Sequence, residues 1–182
     1  MYTTRFPLLC WCLAVIGRVC ICENTGTCFQ YLTNYDTCNR ETIRKPDVSF
    51  MATLGNDVRN PRSNMVIKFD HVISNKGGGY SGASVVFTTP ISGTYFFIVT
   101  LSIPAQSNAS DYLRVHIMKN GVEASYLFIG AHSVWVKRSE NTLLELQRGD
   151  RVYVSVGSTS SSEFAVIPGG QFHCHFTGFL ID

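Results

Sequence analysis

Read on its own, the 182-residue sequence predicts an all-β protein with about ten strands in a β-sandwich or jelly roll. Three observations carry this. From Val48 onward, short runs rich in Val, Ile, Phe, Tyr and Thr recur down the chain. Between the runs stand turn formers: Asn75-Lys76-Gly77-Gly78-Gly79, Pro90-Ile91-Ser92-Gly93, Asn120-Gly121, Gly149-Asp150, Gly157 to Ser162 and Pro168-Gly169-Gly170. No stretch carries the apolar period of a long helix. With 45% hydrophobic, 12% aromatic and only 15% charged residues, the chain has material for a core, which excludes a disordered or collagenous protein.

The expected strands, in order, are Val48 to Leu54, Val66 to Phe69, Ala83 to Thr88, Gly93 to Ile103, Tyr112 to Lys119, Glu123 to Ile129, Ser133 to Lys137, Thr142 to Gln147, Arg151 to Val156 and Gln171 to Ile181. Asn120-Gly121 joins two of them. It predicts a two-residue hairpin, because both central residues of a type I′ turn need positive φ.

The residues ahead of this domain read as an address and a leader. Arg5 precedes an apolar run from Phe6 to Ile16, too short for a membrane span of about 20 residues but suited to a secretory signal peptide. Cuts after Gly17 and after Cys22 both fit the small-residue rule imperfectly; residues 1–22 are taken as the signal, and the mature protein is expected to be extracellular. Residues 23–46 show no periodicity and read as a short leader, followed by one domain over 47–182. Cys28 and Cys38 are the disulfide candidates, closing a small loop within the leader or linking to a neighbouring chain. The leader has neither a G-X-Y repeat nor a heptad series. The +2 formal charge disappears with Arg5 and Arg18 when the signal is cut, leaving 13 basic against 13 acidic residues and no basic stripe for nucleic acid.

One stretch is ordered beyond what strands require. Phe69 is followed at six positions by Asn75, at five by Tyr80, at seven by Phe87 and at six by Gly93, then by Tyr95 and Phe97 in alternation. Alternation turns Tyr95 and Phe97 to one side of a strand, and Phe69, Tyr80 and Phe87 can fill the same core from neighbouring strands. This spacing resembles the signature of the C1q globular-head domain. Further downstream, Val115 to Gly121, Leu143 to Leu146 with Gly149 to Val154, and Phe176 to Leu180 with Gly178 and Phe179 fall in the same family order, so the resemblance covers roughly residues 47–182. It departs at Val99, where the family usually has an aromatic ring.

The resemblance implies a ten-stranded jelly-roll β-sandwich of the C1q/TNF-like type, packed as a homotrimer around an apolar axis. It also implies loops that bind carbohydrate, microbial surfaces or extracellular proteins. Without a collagen-like segment, the chain is similar to the short head-only members of innate immunity. A cytokine-like or synaptic-organiser ligand, or a structural matrix or fluid protein, are the alternative roles. The connections Gln106 to Asp111, Gly130 to Ser133 and Gly157 to Pro168 are the candidate contacts, with Gln106, Asp111, His132, Trp135, Ser160 and Glu163 as candidate binding residues. The segment from Ser125 to Arg138, where some members hold calcium, has no carboxylate, so no cofactor is expected.

Other motifs point to no catalytic chemistry. His173-Cys174-His175 puts two imidazoles on one strand face, but no third ligand is identifiable. The expected arrangement is two polar-face histidines around a buried thiol, with no metal. Gly79-Tyr80-Ser81-Gly82-Ala83 lacks the second glycine of a nucleophile elbow, and Gly77-Gly78-Gly79 lacks the Lys and Ser/Thr of a phosphate loop. No enzymatic activity is expected. Asn108-Ala109-Ser110 is the one glycosylation acceptor, so Asn108 is expected to carry a glycan.

Overall fold

A computed structural model describes residues 47–105, 110–130, 132–160, 166–167, 169 and 174–182. All belong to one compact unit, Ile43–Asp182. The first sheet orders β3 (His71–Lys76), β1 (Ser49–Thr53), β12 (His175–Leu180), β6 (Gly93–Ile103) and β9 (Val136–Leu146); the second orders β4 (Tyr80–Ser81), β5 (Val86–Thr88), β10 (Arg151–Thr159), β7 (Tyr112–Lys119) and β8 (Val122–Gly130). All pairings are antiparallel, and they join ten sandwich strands, the number the sequence predicts. A small ribbon of β2 (Val58–Arg59) and β11 (Val166–Ile167) lies beside them. Among the described residues, no helix is long and apolar enough to cross a membrane.

The core lies between the sheets and is dominated by rings. Phe50 stacks on Tyr80 at 4.5 Å and on Phe87 at 5.2 Å, and meets Phe176 edge-on at 5.1 Å. Phe97 completes the cluster against Phe87 and Phe176. Phe50 and Phe97 flank Gly178 in register, and a Cβ on Gly178 would lie 2.6 Å from both rings. Gly178 is therefore the point where the backbone lets the two rings close over it. Val99 is fully buried in this core without needing a ring.

The spaced signature residues are physically connected. Asn75 clamps the turn ahead of Tyr80: its Nδ2 donates to the Tyr80 carbonyl at 2.7 Å, and its Oδ1 accepts from the Tyr80 amide at 3.1 Å. The Tyr80 hydroxyl in turn donates to the Phe69 carbonyl at 2.7 Å. Asn75 itself is exposed and holds the turn rather than filling the core. Gly93 lies where the C-terminal backbone runs closest, with the Asp182 carbonyl in the space a Cβ would take. Asn120 and Gly121 have φ of 51° and 86°, as the type I′ hairpin requires.

Several expectations are corrected. Phe179, read as core with Gly178, is 40% exposed, because alternation on β12 buries Gly178 and Phe176 and turns Phe179 outward. Residues 66–69 form no strand: Val66 makes a single bridge to Ser155, while Ile67 and Phe69 plug the core from an irregular segment. His71–Lys76, outside the expected strands and ending in the Asn75-Lys76 turn signal, is an exposed edge strand that leaves Val72 and Ile73 at the surface. The expected strands Ser133 to Lys137 and Thr142 to Gln147 become one strand, β9, which starts only at Val136 and ends at Leu146, since the polar Arg138 to Asn141 stretch between them pairs with β6 along its whole length. Ala83 to Val85 form a turn, and that strand starts only at Val86.

Gly178→Ala is expected to destabilise the domain by about 1–3 kcal/mol through overpacking, read as a lower urea midpoint, while Phe50→Ala is expected to cost about 3–5 kcal/mol.

Candidate functional site

Strand order gathers the candidate loops at one end of the sandwich. β6 ends at Ile103, β7 begins at Tyr112, β8 ends at Gly130, β9 begins at Val136 and β10 ends at Thr159, and the antiparallel pairings bring these ends together. Asp47 and Asp182 lie at the opposite end with the Asn120-Gly121 hairpin and the Gly149-Asp150 turn. That second end is tied by hydrogen bonds: Asn120 Nδ2 donates to Asp150 Oδ1 at 2.9 Å, and the Gln147 amide to Asp150 Oδ2 at 2.9 Å. The Asn120 bond, then the Gln147 amide, hold the Asp150 carboxyl below its ordinary range.

The structure brings some candidate residues together and separates others. Ser160 joins β7 to the loop after β10: its Oγ accepts from the Tyr112 amide at 2.8 Å and donates to Asp111 Oδ1 at 3.3 Å. Asp111 is buried under this contact, so it braces the loop, and Ser160 is the exposed member of the pair. Trp135 is 53% exposed beside the exposed Val134, and its Nε1 donates to Ser102 Oγ. His132, half-buried, lies in the same connection. Gln106, Asn108 and Glu163 lie outside the described residues, as do Cys28, Cys38, His173 and the segments 1–22 and 23–46.

Cys174 is buried at the start of β12, as the sequence predicts for the thiol between two histidines. Its Sγ accepts from the Ser102 amide at 3.3 Å. Burial pushes its pKa from 9.0 up to about 11, against the smaller opposite effect of the Ser102 hydrogen bond.

The outward face of the first sheet is a second candidate surface, which the sequence pattern did not single out. Register places Leu143, Phe96 and Phe179 in one row across β9, β6 and β12. Phe96 and Phe179 meet at 5.5 Å, and Leu143 is 59% exposed. Half-buried Ile98 and exposed Ile181 flank the row. An apolar row of this kind on an outer sheet face is a candidate interaction surface. The signal in the sequence was present but mixed, because strands β6 and β12 are apolar on both faces.

The architecture and the ordered aromatic spacing agree with what known proteins show. The C1q domain family matches residues 49–181. This chain belongs to the C1q-domain family. Complement C1q tumor necrosis factor-related protein 2 of Homo sapiens is 30% identical over 124 residues, covering 66% of this chain and 40% of that protein. Complement C1q and tumor necrosis factor-related protein 9A of Homo sapiens is 29% identical over 142 residues, 78% of this chain and 40% of that protein. A complement C1q subcomponent of Mus musculus is 30% identical over 121 residues, 66% of this chain and 45% of that protein. The chain thus matches less than half the length of these curated relatives. Among solved structures, the globular domain of a zebrafish complement 1qA protein superposes with a TM-score of 0.55 at 17% identity, covering 74% of this chain and 98% of that one. The fold of this C1q domain is therefore the two-sheet jelly roll.

Native Cys174 is expected to resist iodoacetamide at pH 8 and to react once the chain is unfolded in urea, read by peptide mapping. Because its folded pKa is raised, the neutral thiol's contribution to stability is whole below about 9 and falls as pH rises from there toward about 11. Cys174→Ala is expected to flatten that alkaline loss in a pH series of urea midpoints.

Proposed function

We propose that the chain is a secreted recognition module of innate immunity, a homotrimer that binds carbohydrate on microbial surfaces non-covalently and acts as a lectin-like pattern-recognition protein. The observation that carries this reading is the division of the surface. One sheet face offers the apolar row Leu143, Phe96 and Phe179 for subunit packing, while the polar loops gather at the end away from both Asp47 and Asp182. A trimer that packs the apolar row about its axis presents three copies of the loop end together, and multivalency raises avidity for a repetitive surface without any new contact. Secretion is supported by Arg5 and the apolar run from Phe6 to Ile16. In that compartment a Cys28–Cys38 bond and a glycan on Asn108 are part of the proposal.

The relatives named for complement C1q and for tumor necrosis factor leave a receptor ligand as the competing role. The purified chain is expected to run at about three times its monomer mass in light scattering, and Phe179→Glu to give a folded monomer. A monomeric wild type at micromolar concentration overturns the trimer. A glycan array run with and without chelator is expected to show saccharide binding that survives chelation. Saturable binding to host cells with an empty array transfers the chain to the cytokine-like reading.

A further inference from the structure

The outward face of the second sheet carries an aromatic and cationic ladder at β7 and β8. Register sets Arg114 opposite Phe128 and His116 opposite Tyr126. Their strand neighbours Leu113, Val115, Ile117, Leu127 and Ile129 are buried, so alternation turns this set outward. Tyr126 and Phe128 are 49% and 50% exposed. Phe128 stacks on Tyr112 at 5.6 Å with 23° between the planes, and the Arg114 guanidinium lies 4.9 Å over the Tyr126 ring. Two flat units thus stand side by side on a rigid hairpin.

The Arg114 charge on this face has no carboxylate partner among the described residues. The Glu123 carboxylate is engaged by His116 Nδ1 at 3.1 Å. Arg114 makes no ion pair among the described residues, and its shielded Nε has no acceptor. A cation–π contact holds the guanidinium in place but leaves its charge open to an anion. We infer that this ladder is a stacking platform for an acidic saccharide: the apolar face of a sugar ring lies on Tyr126 and Phe128 while its carboxylate or sulfate pairs with Arg114. Charge complementarity selects the occupant. A neutral partner covering the face would desolvate Arg114 without replacing its hydration, whereas an anionic group supplies the missing acceptor. The inference rests on the carbohydrate-recognition reading above and assigns it a site on a sheet face, bordering the loop end through Tyr112 but not in the loops themselves.

The test uses the full chain and four probes: a uronic-acid oligosaccharide, a sulfated oligosaccharide and the neutral parent of each, titrated by calorimetry. The wild type is expected to prefer one or both acidic probes, and which one binds identifies the anion. Phe128→Ala is expected to weaken the acidic probes about tenfold or more, and Arg114→Gln to bring the acidic-to-neutral ratio to about one. Tyr126→Leu, which keeps apolar bulk and removes the flat ring, is expected to weaken binding as Phe128→Ala does; unchanged melting midpoints show that the folds are intact. Trp135→Ala at the loop end is expected to bind like the wild type. If the wild type binds saccharide and only Trp135→Ala loses it, the platform is wrong while the carbohydrate reading stands. If the wild type binds no saccharide on the array or in calorimetry, the carbohydrate reading itself falls. Loss of self-association in Phe128→Ala would make the ladder a contact between copies and overturn the inference.

Discussion

Two rings of the first sheet of this C1q domain close over the backbone of Gly178, and rings of the second sheet pack onto them. Phe50 on β1 and Phe97 on β6 sit on either side of it, and Phe176, Phe87 and Tyr80 complete the contact. A methyl group at residue 178 would intrude between the two rings that face each other there. Phe50 and Phe97, on the strands either side of β12, can approach across residue 178 because it has no side chain. Interiors are packed like organic crystals, so such a contact does not deform smoothly; it is made or it is lost.

Polar groups then hold the chain where the core ends. Tyr80 stands at the boundary, with its ring on Phe50 and its hydroxyl on the Phe69 carbonyl, while Asn75 satisfies both backbone groups of Tyr80. At the terminal end, Asp150 and Asn120 bind two turns to each other. At the opposite end Ser160 does the same for the start of β7. The sheet edges β8 and β9 are linked by Ser125 Oγ donating to Glu140. These bonds are few and lie at turns and edges, which leaves both outer faces free to serve as binding surfaces.

Those faces differ in chemistry, and the difference organises the functional reading. The first sheet shows an aliphatic and aromatic row with no charge in it, suited to another subunit. The second shows rings interleaved with the Arg114 guanidinium, suited to a smaller anionic ligand. On the proposed reading, a sandwich built this way separates assembly from recognition, so that one surface can be occupied permanently while another samples ligands.

Much of the fold was legible in the sequence, because strand propensity, turn chemistry and alternation are local. The Asn120-Gly121 hairpin, the long Gly93–Ile103 strand and the buried Cys174 follow from neighbouring residues alone, and the spaced aromatics from Phe69 to Phe97 identified the family. Arg138 to Asn141 fell between two expected strands because its residues are polar, and only its place on an edge strand paired with β6 made it extended. Phe179 was read as core from its place beside Gly178 in the family signature, and only the burial of Gly178 and Phe176 on β12 turned it outward. The same holds for Tyr126 and Phe128, whose neighbours Leu127 and Ile129 are equally apolar: when both faces of a strand are apolar, alternation cannot say which is wet. Sequence by itself determined the class, the family and the turns, since those depend on residues near one another. Tertiary structure decided which apolar residues face solvent and which loops share an end, since pairing between distant strands sets both.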